Sequence, residues 1–523
     1  MAGGEDKVVL DKLFSKGIIK NLGSNKTPDF YATVMENLRI KNGGITARKW
    51  TATIYDWSGS NAVQGITYNS TLGHLYVVQN GSFRKINLTN DPIDQTTIGS
   101  ISHTGAVRFI VYGIYTIILT WAGYPWVYNG TALTQLTSSE IANNTNPSFW
   151  AKYAWFSVVN SSLNPNAMLI SKPATLAAPT NIYSWILSWG SESITFDSEV
   201  LWFVSTLNFL RIFTETTLEY ISRDNLTTAG GISSLFSVPI ASGDELITPD
   251  AVCAANEFIF YMTKTRRIKT VNYVQGNPVP QVAVISEEIN EYLQSELAED
   301  NSEVFAYFDK EENLVKFHVR SLVSTVNDTF VIRDLNNQTW IIDKDKYYSG
   351  MTSAQNLTYA WSAFGYRVVQ DEIGTDDDNS AVEWSFLSAP LIFGNPTSRK
   401  QIRGAELWGK VNQYGIINRQ VLVDGNSTML KQIIWSEIPW NGSVLWVWIG
   451  WSEIGWEPVW WELYSQTPEL NEFRRVATQW AIRRTGNNTQ ISVYGGQKWQ
   501  KFIIDYASIT PKARVRANTS DKV

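Results

Sequence analysis

The chain has 523 residues, of which 44% are hydrophobic and 18% are charged, and its net charge is −6 at pH 7. This composition excludes a disordered chain, and the absence of a long basic run argues against a protein that reads DNA sequence. The single cysteine, Cys253, excludes an internal disulfide. No apolar run approaches the roughly 18 residues of a membrane-spanning helix, so we expect no membrane anchor.

Strand patterns dominate the chain after an N-terminal arm and first strand, which we predict over residues 1–50. From residue 51 to residue 385, a short aromatic and β-branched run is repeatedly followed by a polar turn and a second run. The runs that open the six copies are Leu75 to Val78, Tyr115 to Leu119, Ala154 to Val159, Leu201 to Ser205, Phe258 to Met262 and Leu314 to Val319. A spacing that grows from about 40 to about 55 residues predicts an irregular β-propeller, with a stacked sandwich as the alternative.

One helix is predicted inside this region. Apolar residues recur at every fourth position: Ile285, Ile289, Leu293 and Leu297. Ser286 is the predicted N-cap, and two glutamates follow it in the first turn, where the helix dipole favours negative charge. We expect this helix to pack on the outside of a blade.

Residues 386–523 alternate between apolar and polar positions and are predicted to form a C-terminal, Trp-rich β-sandwich. Its most unusual feature is a run of tryptophans, which begins at Trp435. The members that we single out are Trp440, Trp446, Trp448, Trp451, Trp456, Trp460 and Trp461. Three interpretations stay open, namely core packing, an interface between subunits, and contact with sugar or a membrane surface.

Residues that could carry chemistry are few. The three histidines, His74, His103 and His318, lie far apart in sequence and have no partner at metal-ligand spacing, so we expect neither a metal nor another cofactor. Cys253 stands among apolar residues and is interpreted as a core thiol. We therefore predict a protein that is not an enzyme.

Two acidic features deserve comparison with glycoside hydrolases, which occur on propellers. The loop residues Asp376, Asp377 and Asp378 could supply a carboxylate pair or bind Ca²⁺, although a solvated surface loop is the favoured interpretation. The segment from Asp334 to Trp340 loosely resembles the Asp-box turn of sialidase propellers, which is a structural hairpin even in enzymes.

Four segments resemble one family of phage proteins. They are Phe14 to Arg48, in which an Asn-containing strand precedes a Gly-Gly-x-x-x-Arg turn; Arg211 to Ile221 with its Phe-Thr-Glu strand; Phe258 to Lys269 followed by Ile285 to Leu293; and Leu387 to Lys400. In this combination they resemble the tail hub or nozzle protein of short-tailed bacteriophages, also called the packaged-DNA stabilisation protein. The tryptophan-rich segment has no counterpart in that resemblance.

The resemblance implies a β-propeller protein of the viral tail that forms a homo-hexameric ring below the portal and adaptor. Such a head-tail connector would guide or retain packaged DNA until ejection and would contact DNA only by non-specific passage. It also implies synthesis in the host cytoplasm and final location in the virion. The alternatives are a receptor-binding or glycan-binding tail module and a propeller glycoside hydrolase.

Overall fold

The structure of the chain is a computed structural model. The described residues are 8–10, 16–20, 31–41, 44–49, 51–57, 62–89, 93–120, 124–135, 144–150, 155–160, 164–170, 194–206, 209–222, 237–243, 245–272, 280–301, 303–362, 366–373, 381–391, 400–411, 416–423, 426–427, 431–434, 474–486, 489–495 and 502–513. The chain divides into two compact units. One comprises Met1–Ser15, Thr27–Arg48 and Thr375–Val523, and the other comprises Lys16–Lys26 and Lys49–Gly374.

The chain begins with five short strands, of which only the fifth belongs to the second unit. They are β1 Val8–Leu10, β2 Ala32–Glu36, β3 Leu38–Lys41, β4 Gly44–Ala47 and β5 Ala52–Asp56. The second unit then continues as seven meanders of four antiparallel strands within the described residues, and each meander is one blade of a propeller.

The first four blades are formed by consecutive strands. These are β6 Val63–Asn69, β7 His74–Gln79, β8 Ser82–Asn87 and β9 Asp94–Ser100; β10 Val107–Tyr112, β11 Tyr115–Thr120, β12 Trp126–Tyr128 and β13 Leu133–Gln135; β14 Asn144–Trp150, β15 Trp155–Asn160, β16 Asn164–Ile170 and β17 Ile194–Thr195; β18 Val200–Ser205, β19 Phe209–Thr214, β20 Thr217–Ser222 and β21 Val238–Ser242.

The last three blades follow the same plan except at the end of the ring. Their strands are β22 Val252–Ala255, β23 Phe258–Met262, β24 Ile268–Asn272 and β25 Gln281–Val284; β26 Phe305–Asp309, β27 Leu314–Val319, β28 Thr329–Asp334 and β29 Thr339–Lys344; β30 Tyr348–Ala354, β31 Leu357–Ser362 and β32 Arg367–Asp371. The fourth strand of the seventh blade is β5, which pairs with β32 and comes from the start of the unit.

The ring is closed through the first strands of the blades. β6, β10, β14, β18, β22, β26 and β30 contact one another in succession, and β30 also contacts β6. These strands therefore surround the axis, and β5 joins the beginning of the unit to its last blade. Because a single blade cannot bury both of its faces, the blades are stable only when stacked in this way.

Aromatic and branched side chains fill the spaces between blades. Between the first and second blades, Tyr76, Phe83 and Tyr128 pack with ring centroids 5.4–5.5 Å apart. Between the first and seventh blades, Leu75 of β7 and Val368 of β32 belong to one buried cluster. Each fully buried side chain of this size contributes roughly 1.5–3 kcal/mol. These clusters confirm the all-β propeller that the sequence predicts.

Asparagine has a structural role in the tight turns between strands. The Oδ1 atoms of Asn69 and Asn129 accept hydrogen bonds from backbone N–H groups two and three residues further along the chain. Asn80 and Gly81 both have positive φ angles, of 47° and 68°, as the tight hairpin between β7 and β8 requires. Each of these three asparagines begins an Asn-x-Ser/Thr sequence, which therefore serves as a turn here.

The predicted helix is present but shorter than its apolar stripe. It consists of a 3-10 turn over Glu287–Ile289 and the helix α1 over Asn290–Ser295. Leu293 and Leu297 are fully buried, as the stripe predicts. Ser286 occupies the predicted N-cap position, but its hydroxyl makes no capping hydrogen bond and instead accepts the backbone N–H of Ile268 at 3.0 Å. A tertiary hydrogen bond to the preceding hairpin therefore replaces the local one.

The other unit contains two antiparallel sheets, compatible with a β-sandwich. Its later strands are β33 Trp384–Ser388, β34 Lys400–Val411, β35 Ile416–Val423, β36 Asn426–Ser427, β37 Lys431–Ile434, β38 Arg474–Gly486, β39 Thr489–Gly495 and β40 Phe502–Ala513. One sheet has the order β3-β4-β40-β34-β38, with β1 beside β40, and the other has β2-β33-β39-β35, with β36 and β37 beside β35. Burial alternates along β33 and β39, so one face of that sheet is buried.

The described part of the first 50 residues is not separate from these two sheets, because β1 to β4 are hydrogen-bonded into them. Asn37, in the motif used for the family resemblance, has a positive φ of 55°. Its Oδ1 accepts a hydrogen bond from Nε of the buried Arg48 at 3.1 Å, and its Nδ2 donates to the carbonyl of Glu383 at 2.7 Å. The motif thus holds the β3-β4 hairpin and fastens it near β33.

Candidate functional site

The residues that the sequence singled out are not those that the structure brings together. The seven tryptophans between residues 440 and 461, and the acidic loop Asp376 to Asp378, lie outside the described residues. The three histidines lie on different blades or loops, and no group of three His, Cys, Asp or Glu side chains that could hold a metal ion occurs among the described residues. Burial raises the pKa of the Cys253 thiol to about 12, which suits a core thiol rather than a nucleophile.

A cluster at the propeller axis joins three blades. Arg108 lies on β10 of the second blade, and its guanidinium NH2 group donates a short hydrogen bond to Oδ2 of Asp250, directly before β22 of the fifth blade. The same guanidinium lies 4.3 Å from the ring centroid of Trp202, on β18 of the fourth blade. The second and fifth blades are not neighbours in the ring, so this contact crosses the space that the first strands enclose.

The axial cluster is a closed arrangement of charges. The Arg108 side chain is only 17% exposed, and the Asp250 carboxylate and the indole face of Trp202 satisfy its positive charge. Because Asp250 is 45% exposed, solvent screens the ion pair and limits its strength. The side chains therefore link the second, fourth and fifth blades across the ring.

We expect this brace to stabilise the propeller modestly. In a double-mutant cycle of Arg108→Met and Asp250→Asn, the coupling energy should be about 1 kcal/mol, measured from urea unfolding. Arg108→Lys should recover only part of the loss, because an ammonium lacks the planar face that stacks on Trp202. A coupling energy of zero would show that the two side chains do not act together.

A second cluster of buried charges lies at the seam between the sixth and seventh blades. Lys316 of β27 is 1% exposed, and its Nζ lies 2.9 Å from Oδ2 of Asp309 and 3.3 Å from Oδ2 of Asp371. Nζ of Lys346 makes a short contact with the other oxygen of Asp371, and the hydroxyl of Tyr348 donates to that oxygen at 3.0 Å. These groups join β26 and β27 to the end of β32, next to the closing strand β5.

The carboxylate of Asp371 is the centre of this network. Burial would raise its pKa, but the ammonium groups of Lys346 and Lys316 bring the pKa below its ordinary value. Glu372 lies 3.6 Å from both lysine Nζ atoms and adds negative charge. With every described member satisfied by a neighbour, the network can hold two blades in register, but it leaves no group poised for acid-base chemistry.

His318 lies beside this seam, in a box of aromatic rings. Its ring centroid lies 4.3 Å from that of Phe330 and 5.0 Å from that of Phe305. Nε2 lies 2.7 Å from the carbonyl oxygen of Lys346, which accepts its hydrogen. Burial lowers the pKa of His318 to about 4, so the ring is neutral at pH 7. It serves as a core side chain.

The segment that resembles an Asp-box is a hairpin turn. Oδ1 of Asp334 accepts the backbone N–H groups of Asn336 and Asn337 at 2.8 and 3.1 Å, and the fully buried Trp340 follows on β29. The Phe-Thr-Glu motif is also a turn, since Oγ1 of Thr214 accepts the N–H of Thr217 at 2.9 Å between β19 and β20. Each motif therefore joins two neighbouring strands within one blade.

Sequence reasoning missed both buried clusters. Lys316 is a single charge within an apolar strand, and such a charge indicates a buried partner, whereas Lys346 ends a run of alternating charges and gives no such indication. The sequence does not identify the partner, because Asp309 and Asp371 approach Lys316 only when the blades are stacked. Arg108 likewise stands in an apolar strand, 142 residues from Asp250. No helix among the described residues is long and apolar enough to cross a membrane.

No protein-family model matches the chain, and no curated protein matches its sequence. Among solved structures, the computationally designed protein Ika8 aligns with a TM-score of 0.37 and 9% identity over 62% of this chain and 100% of that chain. PorZ, a surface component of the type-IX secretion system of Porphyromonas gingivalis, aligns with a TM-score of 0.38 and 9% identity over 73% of this chain and 46% of PorZ. Hsv2 of Kluyveromyces lactis aligns with a TM-score of 0.36 and 11% identity over 64% of this chain and 95% of Hsv2. These similarities carry no inference about function.

Proposed function

We propose that this chain is a structural protein of a short-tailed phage tail, without enzymatic activity. In this proposal, about six copies form a ring below the portal and adaptor, which guides or retains packaged DNA. The proposal rests on the four segments that resemble the tail nozzle family and on the all-β architecture, in which a closed propeller is accompanied by a two-sheet unit. The protein would be made in the host cytoplasm and reside in the virion.

The observation that carries the structural role is the brace at the propeller axis. A ligand site at the axis needs polar groups that are available to the ligand, whereas Arg108 is engaged by Asp250 and Trp202. It follows that DNA in the proposed ring would pass between copies of the chain and not along the axis of one propeller.

The net negative charge of the propeller unit supports passage of DNA without binding. The unit contains 30 Asp and Glu residues against 22 Lys and Arg residues. An acidic surface repels the phosphate backbone, so DNA that runs past it would stay mobile.

A receptor-binding tail module is the second candidate, and the tryptophan-rich segment is the observation that favours it. Aromatic side chains bind sugars and host surfaces as readily as they bind subunits. Replacing Trp448 and Trp460 with alanine separates the two functions. Loss of ring assembly is expected if the segment is an interface, whereas loss of host-cell binding by an intact ring is expected if it is a receptor contact.

The test of the proposed function is the mass of the purified full chain in solution, with negative-stain images of the same sample. We expect a ring of about six copies with a central hole, formed either alone or when the phage adaptor is added as a template. A protein that stays monomeric in both conditions and hydrolyses glycans would contradict the proposal and favour the glycoside hydrolase alternative.

A further inference from the structure

Two large apolar side chains stand at the tip of one loop. Leu322 and Val323, between β27 and β28, are 60% and 95% exposed, whereas no other large apolar residue in the described part of the chain exceeds 44%. Single exposed apolar residues are ordinary, but adjacent ones at this exposure are a feature of binding surfaces. We call this pair the Leu322–Val323 knob.

The loop that carries the knob is held firmly. At its base, the backbone N–H and the hydroxyl of Ser321 donate to the two carboxylate oxygens of Asp328, at 2.9 and 2.7 Å. At its tip, the N–H of Leu322 donates to the carbonyl of Glu296 at 3.0 Å, beside the end of α1. On the far side, Nδ2 of Asn327 donates to the carbonyl of Glu303 at 2.7 Å. A pre-organised loop loses little entropy when it binds, so the knob is suited to insertion into a pocket.

The surroundings of the knob are acidic. Residues 287–303 contain seven Asp and Glu residues and neither Lys nor Arg. Those nearest to the loop are also exposed, namely Glu296, Glu299, Asp300 and Glu303. Arg320 is the one basic residue of the loop itself, and it lies 3.8 Å from Asp300. The chemistry that fits this surface is therefore an apolar pocket with Lys and Arg at its rim.

We propose that the Leu322–Val323 knob docks on a second copy of this chain, an inference that rests on the proposed ring. The chain carries the complementary charge itself, since β34, β38 and β40, which are neighbours in one sheet, contain eight Lys and Arg residues against two Asp and Glu residues. A knob that enters a different surface of the next copy makes a head-to-tail contact. Contacts of this kind form closed rings when the rotation between copies closes.

The test compares the concentration at which the full chain assembles with that of two variants. Leu322→Ser with Val323→Ser should raise the half-assembly concentration at least about 100-fold, because two apolar side chains lose their burial at each contact. Leu357→Ser is the matched control, since Leu357 is 41% exposed at the start of β31. Both variants should keep the thermal unfolding midpoint of the unaltered chain, because the replaced side chains are exposed.

Charge reversal by Glu299→Lys with Glu303→Lys should raise the half-assembly concentration about 10-fold at low salt and less at high salt. A half-assembly concentration that is unchanged in the knob variant and in the charge-reversal variant would overturn the docking inference. Such a result would not contradict the proposed ring. Equal losses in the knob variant and the Leu357→Ser control would also overturn it. A chain that never assembles, with or without the adaptor, would instead contradict the proposed ring and this inference together.

Discussion

Replacing Lys316 with methionine is expected to lower the free energy of unfolding by about 3–5 kcal/mol. Lys316 is buried at the seam between the sixth and seventh blades, and its ammonium group neutralises Asp309 and shares Asp371 with Lys346. Methionine has a similar volume but no charge, so it leaves the carboxylate of Asp309 buried without its ion-pair partner. Urea unfolding of the full chain, followed by far-ultraviolet circular dichroism, measures the change.

Lys264→Met is the matched control for this prediction. Lys264 also forms an ion pair, with Glu245, but its side chain is 58% exposed, so its removal should cost at most about 1 kcal/mol. A double variant, Lys316→Met with Asp309→Leu, should recover part of the loss because the carboxylate is removed together with its partner. Equal, small effects of Lys316→Met and Lys264→Met would show that the buried network does not hold the seam.

Acidification from pH 6.5 to pH 4 is expected to destabilise the propeller by about 3 kcal/mol through His318 alone. Burial lowers the pKa of His318 to about 4, below the ordinary value of 6.5. Between these values, the unfolded chain binds a proton that the folded chain does not, so stability falls as the pH falls. The contribution is fully present above pH 6.5, and its loss is complete below about pH 4.

The variant His318→Gln isolates this effect. At pH 7.5 the imidazole of His318 is neutral in the folded and the unfolded chain. The difference in the free energy of unfolding between the two proteins at this pH therefore reports the lost packing against Phe305 and Phe330 and the altered hydrogen bond to Lys346. The change in that free-energy difference between pH 7.5 and pH 4, measured by urea unfolding, gives the contribution of His318 protonation to stability. Identical pH dependence of the two proteins would contradict a buried neutral histidine. Asp371 adds acid sensitivity only at lower pH, since neighbouring lysines lower its pKa.

Six of the seven blades could be recognised from sequence because each is local. The runs that begin at Leu75, Tyr115 and Leu314 form strands of the first, second and sixth blades, as the repeat predicts. The seventh blade was not recognised. Its fourth strand, β5, lies about 300 residues before β32 in the chain, and no local pattern reports a pairing over that separation.

The helix α1 shows which features local sequence patterns predict and which they do not. Its apolar stripe correctly identified Leu293 and Leu297 as buried, because a spacing of four residues places them on one face. Ser286 stands at the predicted cap position, but its hydroxyl accepts the N–H of Ile268 in the neighbouring hairpin instead of capping the helix. Local capping rules take no account of such tertiary partners.

The sequence by itself determined that the protein is all-β, that one repeating region forms a propeller, and that the chain has no local motif for a metal or nucleophile. These properties follow from composition and from periodicities within about 50 residues. Only the tertiary structure decided where the ring closes, which charges are buried and which apolar side chains remain outside. Arg108 meets Asp250, and Lys316 meets Asp371, because stacked blades bring distant strands together. Leu322 and Val323 stay exposed because the loop that carries them is fastened at its base and turned away from the core.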